Sequence, residues 1–124
     1  MREETGQWLK QAEFELETAK ILLDNNRFSS ASFHAQQAAE MGLKAMHVEK
    51  GKPIKSHDLI FLIKTFKAPL NIEKAAKELC SVYQETRYPD MTGRTPSEEF
   101  SEIETESDIH KAEAILKWVK QNLK

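Results

Sequence analysis

Phe28–Lys50 reads FSSASFHAQQAAEMGLKAMHVEK, and this stretch decides the fold. Ala31, Ala35, Ala38, Gly42 and Ala45 recur at spacings of three and four, which puts five small residues on one face of a helix. A face that small lets a neighbouring helix backbone come close and favours a tight antiparallel pair. Gly42 costs roughly 1 kcal/mol of helix stability relative to Ala, so a steric demand at a crossing is the reason to expect it there. Phe28, Phe33, Leu43 and Met46 flank the small stripe.

The partner is the segment before it. From about Glu3 to Asn25, Leu9, Ala12, Leu16, Ala19 and Leu23 form an amphipathic stripe that Trp8 and Leu22 widen. Phe14 and Ile21 lie well round from that stripe, where they either extend the core or, with Trp118, face a partner. Asn25-Asn26 is a helix stop, because Asn tolerates a left-handed turn. At the other end Gly51-Lys52-Pro53 closes the second helix.

Beyond it, Ser56 is expected to cap a short helix, with Asp58 in its first turn and Leu59, Leu62, Ile63 and Phe66 on its apolar face. Ala68-Pro69 breaks that element. Asn71 is expected to cap its continuation, lined by Ile72, Ala75, Leu79, Val82 and Tyr83 and stopping near Arg87, since Pro89 forces Tyr88 toward an extended conformation. Residues 89–104 read as a loop of about fifteen residues, long enough to suggest function or mobility. A last helix is expected from Thr105, with Asp108 three residues on as an imperfect capping box. Its stripe is Ile109, Ala112, Leu116, Val119 and Leu123, and Lys117, Lys120 and Lys124 stand at its cation-favouring end. No β-type alternation appears. The expected fold is all-α: an up-down bundle of four to five helices whose third element is broken near Ala68-Pro69.

A chain of 124 residues suits one domain over 1–124, since two would each approach the lower size limit. The net charge of -2 argues against a generic cationic coat for nucleic acid. The charge is divided, however. Between Lys44 and Lys67 six lysines face Glu49 and Asp58, a balance of +4, and between Glu98 and Asp108 six acids face no base, a balance of -6. The basic side can attract phosphates, or both can be ordinary solvated surfaces. Cys80 is alone, which precludes an internal disulfide and suggests a reducing compartment. No signal-peptide core follows Met1, and no apolar run approaches the ~18 residues of a membrane span. A cytoplasmic location and no membrane association are expected. His34, His47, His57 and His110 make no i,i+4 pair and no Cys-x-x-Cys exists, so no metal is expected. No phosphate-cradling Gly-rich motif occurs either.

Three polar groupings remain. His34, Gln37, Glu40 or Met41, and Lys44 advance by three or four along the second helix, apart from the small stripe. Amide, carboxylate and ammonium in one row can read a base edge and a phosphate. On residue types alone, a solvated face with a Glu40–Lys44 pair explains them more simply. His57-Asp58 opens a helix, where His57 can donate to an anion or simply cap. Arg87, with Glu85, Tyr88 and Asp90 nearby, ends the third element. Arg grips phosphate in a two-pronged way, or fastens the turn by pairing with Glu85 or Asp90.

Taken together, Trp8-Leu9 with Ala12-Glu13 and Leu16, the run Phe33-His34-Ala35-Gln36-Gln37-Ala38-Ala39-Glu40 with Leu43-Lys44-Ala45, then His57-Asp58-Leu59, then Arg87-Tyr88-Pro89-Asp90, resemble the HEPN family. The resemblance spans about Trp8 to Leu123. It implies an up-down bundle, a homodimer, no cofactor, and a groove near the second and third helices that takes a nucleotide or RNA. It also implies a nucleotidyltransferase partner in a toxin–antitoxin-like system. The nucleotide-binding set expected from it is Gln37, Glu40, Lys44, His57, Arg87 and Tyr88. Active relatives are metal-independent ribonucleases with an Arg, four to six intervening residues, and then a His that does acid–base work. Here Thr92, Gly93 and Arg94 stand where that His would be. Arg27 and His34 match the spacing only formally, at the start of the second helix. A non-catalytic module is therefore expected, with a ribonuclease using His57, or a purely structural dimerisation bundle, as alternatives.

Overall fold

The computed structural model describes residues 1–93 and 95–123, and for Thr92 the backbone alone. Its helices are α1 (Glu3–Asp24), α2 (Phe28–Glu49), α3 (Leu59–Lys64), α4 (Leu70–Leu79), α5 (Val82–Glu85), α6 (Pro89–Thr92), α7 (Pro96–Glu99) and α8 (Glu102–Asn122). No strand occurs among the described residues, and no helix there is long and apolar enough to cross a membrane. The all-α bundle read from the sequence is the fold observed.

α1 and α2 form an antiparallel hairpin, closed at its open end by Glu49, which accepts from the Arg2 amide and from the Thr5 hydroxyl, each at 2.8 Å. Both helices end in the same device. After α1, Asn26 takes a left-handed φ of 59°, and the amides of Asn26 and Arg27 reach back to the carbonyls of Leu23 and Leu22. After α2, Gly51 takes φ 74°, and the amides of Gly51 and Lys52 reach back to Val48 and His47. Each turn satisfies two carbonyls that a helix end leaves open.

The small stripe of α2 is buried throughout, and it meets α8 as well as α1. A Cβ on Gly42 would stand 2.4 Å from Leu116 Cδ2, which is the steric demand that the glycine answers. α8 runs parallel to α2, because Thr105 joins Ser32 and the Phe28 carbonyl at one end while Gly42 meets Leu116 further along. The chain returns through α3 and α4, the broken third element, which closes the four-layer up-down order. Leu43, Leu59, Leu62, Leu79, Ile115 and Val119 are fully buried between these layers, each contributing roughly 1.5–3 kcal/mol.

Several local expectations give way to tertiary context. Asp58, not Ser56, caps α3: its carboxylate accepts from the amides of Ile60 and Phe61 at 3.0 and 3.2 Å, while Ser56 Oγ accepts from the Asp58 amide. Pro69, not Asn71, precedes α4. The continuation stops at Leu79 and resumes as α5, so it is two helices and not one reaching Arg87. Residues 89–104 are not an open loop. Pro89 and Pro96 start α6 and α7 at a position where the missing N–H is no loss, and α8 begins before Thr105, capped by Ser101 Oγ, which accepts from the Glu104 amide. Arg94 and Lys124 lie outside the described residues. Phe14 and Ile21 are 60% and 54% exposed and do not extend the core, whereas Trp118 packs edge-on against Phe66.

An electrostatic strain lies under the start of α8. Burial pushes the Asp108 carboxyl up from its usual 3.8 to about 6, with Glu104 and Glu85 adding to the rise and the Ser32 hydroxyl and Lys111 opposing it. A folded-state value above the unfolded one means that the fold favours the protonated acid. This contribution is present below pH 4 and is lost as pH rises through 6. Asp108→Asn should therefore stabilise the chain by on the order of 2 kcal/mol at pH 8 and do little at pH 4. Urea unfolding at the two pH values checks this; equal effects at both would contradict it.

Candidate functional site

The polar row of α2 is not a solvated face. Glu40 is 3% exposed and Lys44 8%, because α3 and α5 return over that side of the helix. A carboxylate there must be compensated, and it is. Glu40 Oε2 accepts from the Lys44 ammonium at 2.9 Å. Its Oε1 takes His57 Nδ1 at 3.0 Å and the Gln36 amide at 3.4 Å. Gln36, wholly buried, also donates to the His57 carbonyl at 3.5 Å and accepts from Gln37 Nε2 at 2.8 Å.

These contacts fix His57. A carboxylate that already accepts from an ammonium has only acceptor sites, so the proton between it and His57 sits on Nδ1. Nε2 is left without a hydrogen-bond partner among the described residues. The imidazole ring lies flat on Tyr83, with centroids 4.4 Å apart and planes 14° apart. Tyr83 in turn carries Arg87, whose guanidinium stands 5.9 Å from its ring and 4.8 Å from that of Phe33. Among the described residues no carboxylate pairs with Arg87, Glu85 and Asp90 included. The guanidinium is held by aromatic faces and keeps its donors for another acceptor.

Lys44, Glu40, His57, Tyr83 and Arg87 thus form one continuous row from α2, through the segment leading into α3, to α5 and the turn after it. Beside it lies a cleft of about 370 Å³ lined by Ser56, His57, Asp58, Cys80, Tyr83 and Gln84. Cys80 Sγ donates to Asp58 Oδ1 at 3.1 Å. That bond and the Phe61 and Ile60 amides hold Asp58 below the usual carboxylate range, while burial and Asp58 push the Cys80 thiol up. Cys80 is therefore a donor that ties α4 to α3, not a ready nucleophile.

Of the six residues expected from the sequence, Glu40, Lys44, His57 and Arg87 stand in the row. Gln37 joins it only through Gln36. Tyr88 is 45% exposed at the start of α6 and its ring joins neither aromatic stack among the described residues. His34 turns away to pair with Glu15. Among the described residues no group of three or more His, Cys, Asp or Glu side chains is placed to hold a metal ion.

A family model described as the HEPN domain matches residues 5–122. The chain belongs to the HEPN family. Solved structures agree with that along the whole length. A protein of Thermus thermophilus superposes with a TM-score of 0.92 at 31% identity, covering 97% of this chain and 98% of the other. An archaeal HEPN homologue superposes at 0.87 with 31% identity, covering both chains fully. A HEPN domain protein of Thermotoga maritima superposes at 0.77 with 26% identity, covering 94% and 97%. Among named proteins, "Putative toxin MJ1304" of Methanocaldococcus jannaschii is 28% identical over 131 residues, which cover 94% of this chain and 86% of that protein.

Sequence reasoning about this HEPN chain missed Gln36, Phe33 and Tyr83. Tyr83 read as one more member of an apolar stripe, and only the stacking of His57 and Arg87 on it shows what it holds. Gln36 carried a signal that could have found it: an amide beside a small stripe, one turn before an acid. The burial of Glu40 also has an energetic consequence. Removing one partner of a buried ion pair leaves the other uncompensated, at about 3–5 kcal/mol. Glu40→Ala should destabilise the chain by about that much, and Lys44→Met in the same chain should recover most of it. Urea unfolding of the two variants tests the pair; equal losses in both would show that Lys44 is not the stranded charge.

Proposed function

We propose that this chain is the HEPN component of a toxin–antitoxin-like system, and that the row from Lys44 to Arg87 binds a nucleotide or RNA. The observation that carries the reading is the row itself: the buried Glu40–Lys44 pair orients the His57 imidazole, which lines the cleft, and Tyr83 carries both that ring and the Arg87 guanidinium. A guanidinium held by two aromatic faces, with no carboxylate partner among the described residues, is a two-pronged phosphate ligand in waiting. His57, stacked on the same Tyr83 ring, offers Nε2 for a base edge or a second phosphate oxygen. The toxin role is supported by the name of the Methanocaldococcus jannaschii relative. A homodimer, a nucleotidyltransferase partner and action in the cytoplasm belong to the same proposal, resting on the family resemblance.

The module acts by binding, without catalysis. No His follows Arg87 after four to six intervening residues, so the acid–base partner of active relatives is missing from its place. One observation favours a second reading, a metal-independent ribonuclease. His57 is oriented by a buried carboxylate, leaves Nε2 open, and shares Tyr83 with Arg87. In that reading Nε2 would take the 2′-hydroxyl proton as the oxygen attacks phosphorus, Arg87 would stabilise the added negative charge, and the bond to the 5′-oxygen would break as the imidazolium returns the proton to it, leaving a 2′,3′-cyclic phosphate.

Isothermal calorimetry with nucleoside monophosphates and short RNA separates the outcomes. Binding should be weakened at least tenfold by Arg87→Ala, as loss of a charge-assisted hydrogen bond of ~1.5–3 kcal/mol requires. No heat with any nucleotide, with or without a nucleotidyltransferase partner, would remove the binding reading. RNA cleavage in the presence of a chelator, abolished by His57→Ala, would replace it with the ribonuclease.

A further inference from the structure

The row has a second neighbour that the binding reading does not use. On the other side of Lys44, between α1 and α2, lies a pocket of about 360 Å³ lined by Gln7, Trp8, Gln11 and Met41. None of these four carries a charge. The Lys44 ammonium, 2.9 Å from Glu40, stands over the Trp8 ring at 5.8 Å from its centroid. Contacts of 3.1, 2.9 and 5.8 Å lead from His57 through Glu40 and Lys44 to Trp8, so the pocket adjoins the row at its Lys44 end.

Trp8 is half-buried and belongs to neither hydrophobic core cluster nor to the side chains packed on them. The core does not require an indole here. Trp8 and Met41 give the pocket an aromatic face and a polarisable wall. Gln7 and Gln11, one helical turn apart and both exposed, carry amides that donate and accept, although Gln11 Nε2 already donates to Glu15 Oε1 at 3.4 Å. Flat apolar faces with a donor–acceptor edge are the chemistry of a nucleobase.

We propose that the Gln7–Trp8–Gln11–Met41 pocket is a second base-binding subsite, which seats one base of a single-stranded RNA whose neighbouring phosphate lies on the Lys44–Arg87 row. This rests on the binding reading above and sharpens it. The ligand is an oligonucleotide and not a mononucleotide, because Trp8 adjoins the row at its Lys44 end while Arg87 stands at the other.

The test uses the full chain carrying Trp118→Phe, which keeps an aromatic ring against Phe66 and leaves Trp8 as the sole tryptophan. An adenosine tetranucleotide should quench Trp8 emission, and AMP should not. Trp8→Ala should weaken the tetranucleotide about tenfold or more, as stacking worth ~1–3 kcal/mol per base implies, with AMP affinity unchanged and Trp8→Phe restoring most of the loss. Gln7→Ala with Gln11→Ala, both at exposed positions, should weaken the tetranucleotide alone without disturbing the fold. Arg87→Ala should weaken both ligands. Tetranucleotide binding that needs Arg87 but leaves Trp8 emission and the Trp8→Ala affinity unchanged overturns the subsite and leaves the binding reading standing. Absence of binding by either ligand overturns both. Trp8 emission that follows protein concentration and ignores RNA assigns the pocket to a second copy of the chain, and overturns the subsite.

Discussion

A carboxylate buried in the middle of a helix governs this molecule. Glu40 is 3% exposed, and its two oxygens are shared among an ammonium, an imidazole and an amide from three different positions. An ion so placed is tolerable only if its partners stay put. The same demand that makes the interior acceptable therefore fixes Lys44 on α2 and His57 ahead of α3. His57 then determines where Tyr83 must lie, and Tyr83 with Phe33 determines where Arg87 points. The geometry of the site follows outward from one charge that cannot be left unpaired.

The frame that brings these groups together was largely readable from residue spacing. The small stripe of α2 announces close packing, and Gly42 is explained by Leu116 lying where its Cβ would be. Asn26 and Gly51 mark the two helix ends because only residues at ease with positive φ can close those turns. The third element was harder. Whether Ser56 or Asp58 caps α3 depends on which side chain the incoming loop aims at the first amides, and the two residues are equally suited by type. Pro89 and Pro96 are compatible both with a loop and with the first turn of a helix, so 89–104 could not be read from composition.

The candidate site was visible as a set of residues but not as an arrangement. His34, Gln37, Glu40 and Lys44 share a helical face by spacing, yet only two of the four sit in the row, because α3 and α5 cover one part of that face and α1 another. Burial is a property of the chain that returns, not of the helix on which the residue stands. Tyr83 and Trp8 were read as apolar stripe for the same reason. A ring that packs and a ring that presents its face look identical in a periodicity. The family match over residues 5–122 supports the frame, while the missing His after Arg87 limits what the family name implies about chemistry.

Whether a nucleotide or RNA ligand sits on the Lys44–Arg87 row is tested most directly by backbone amide chemical shifts, followed by NMR while a short single-stranded RNA is titrated in. Perturbations should concentrate on α5, on the His57-Asp58 turn and on the α2 residues around Glu40 and Lys44. Perturbations confined to the α4–α8 face, or none at saturating RNA, would contradict that placement.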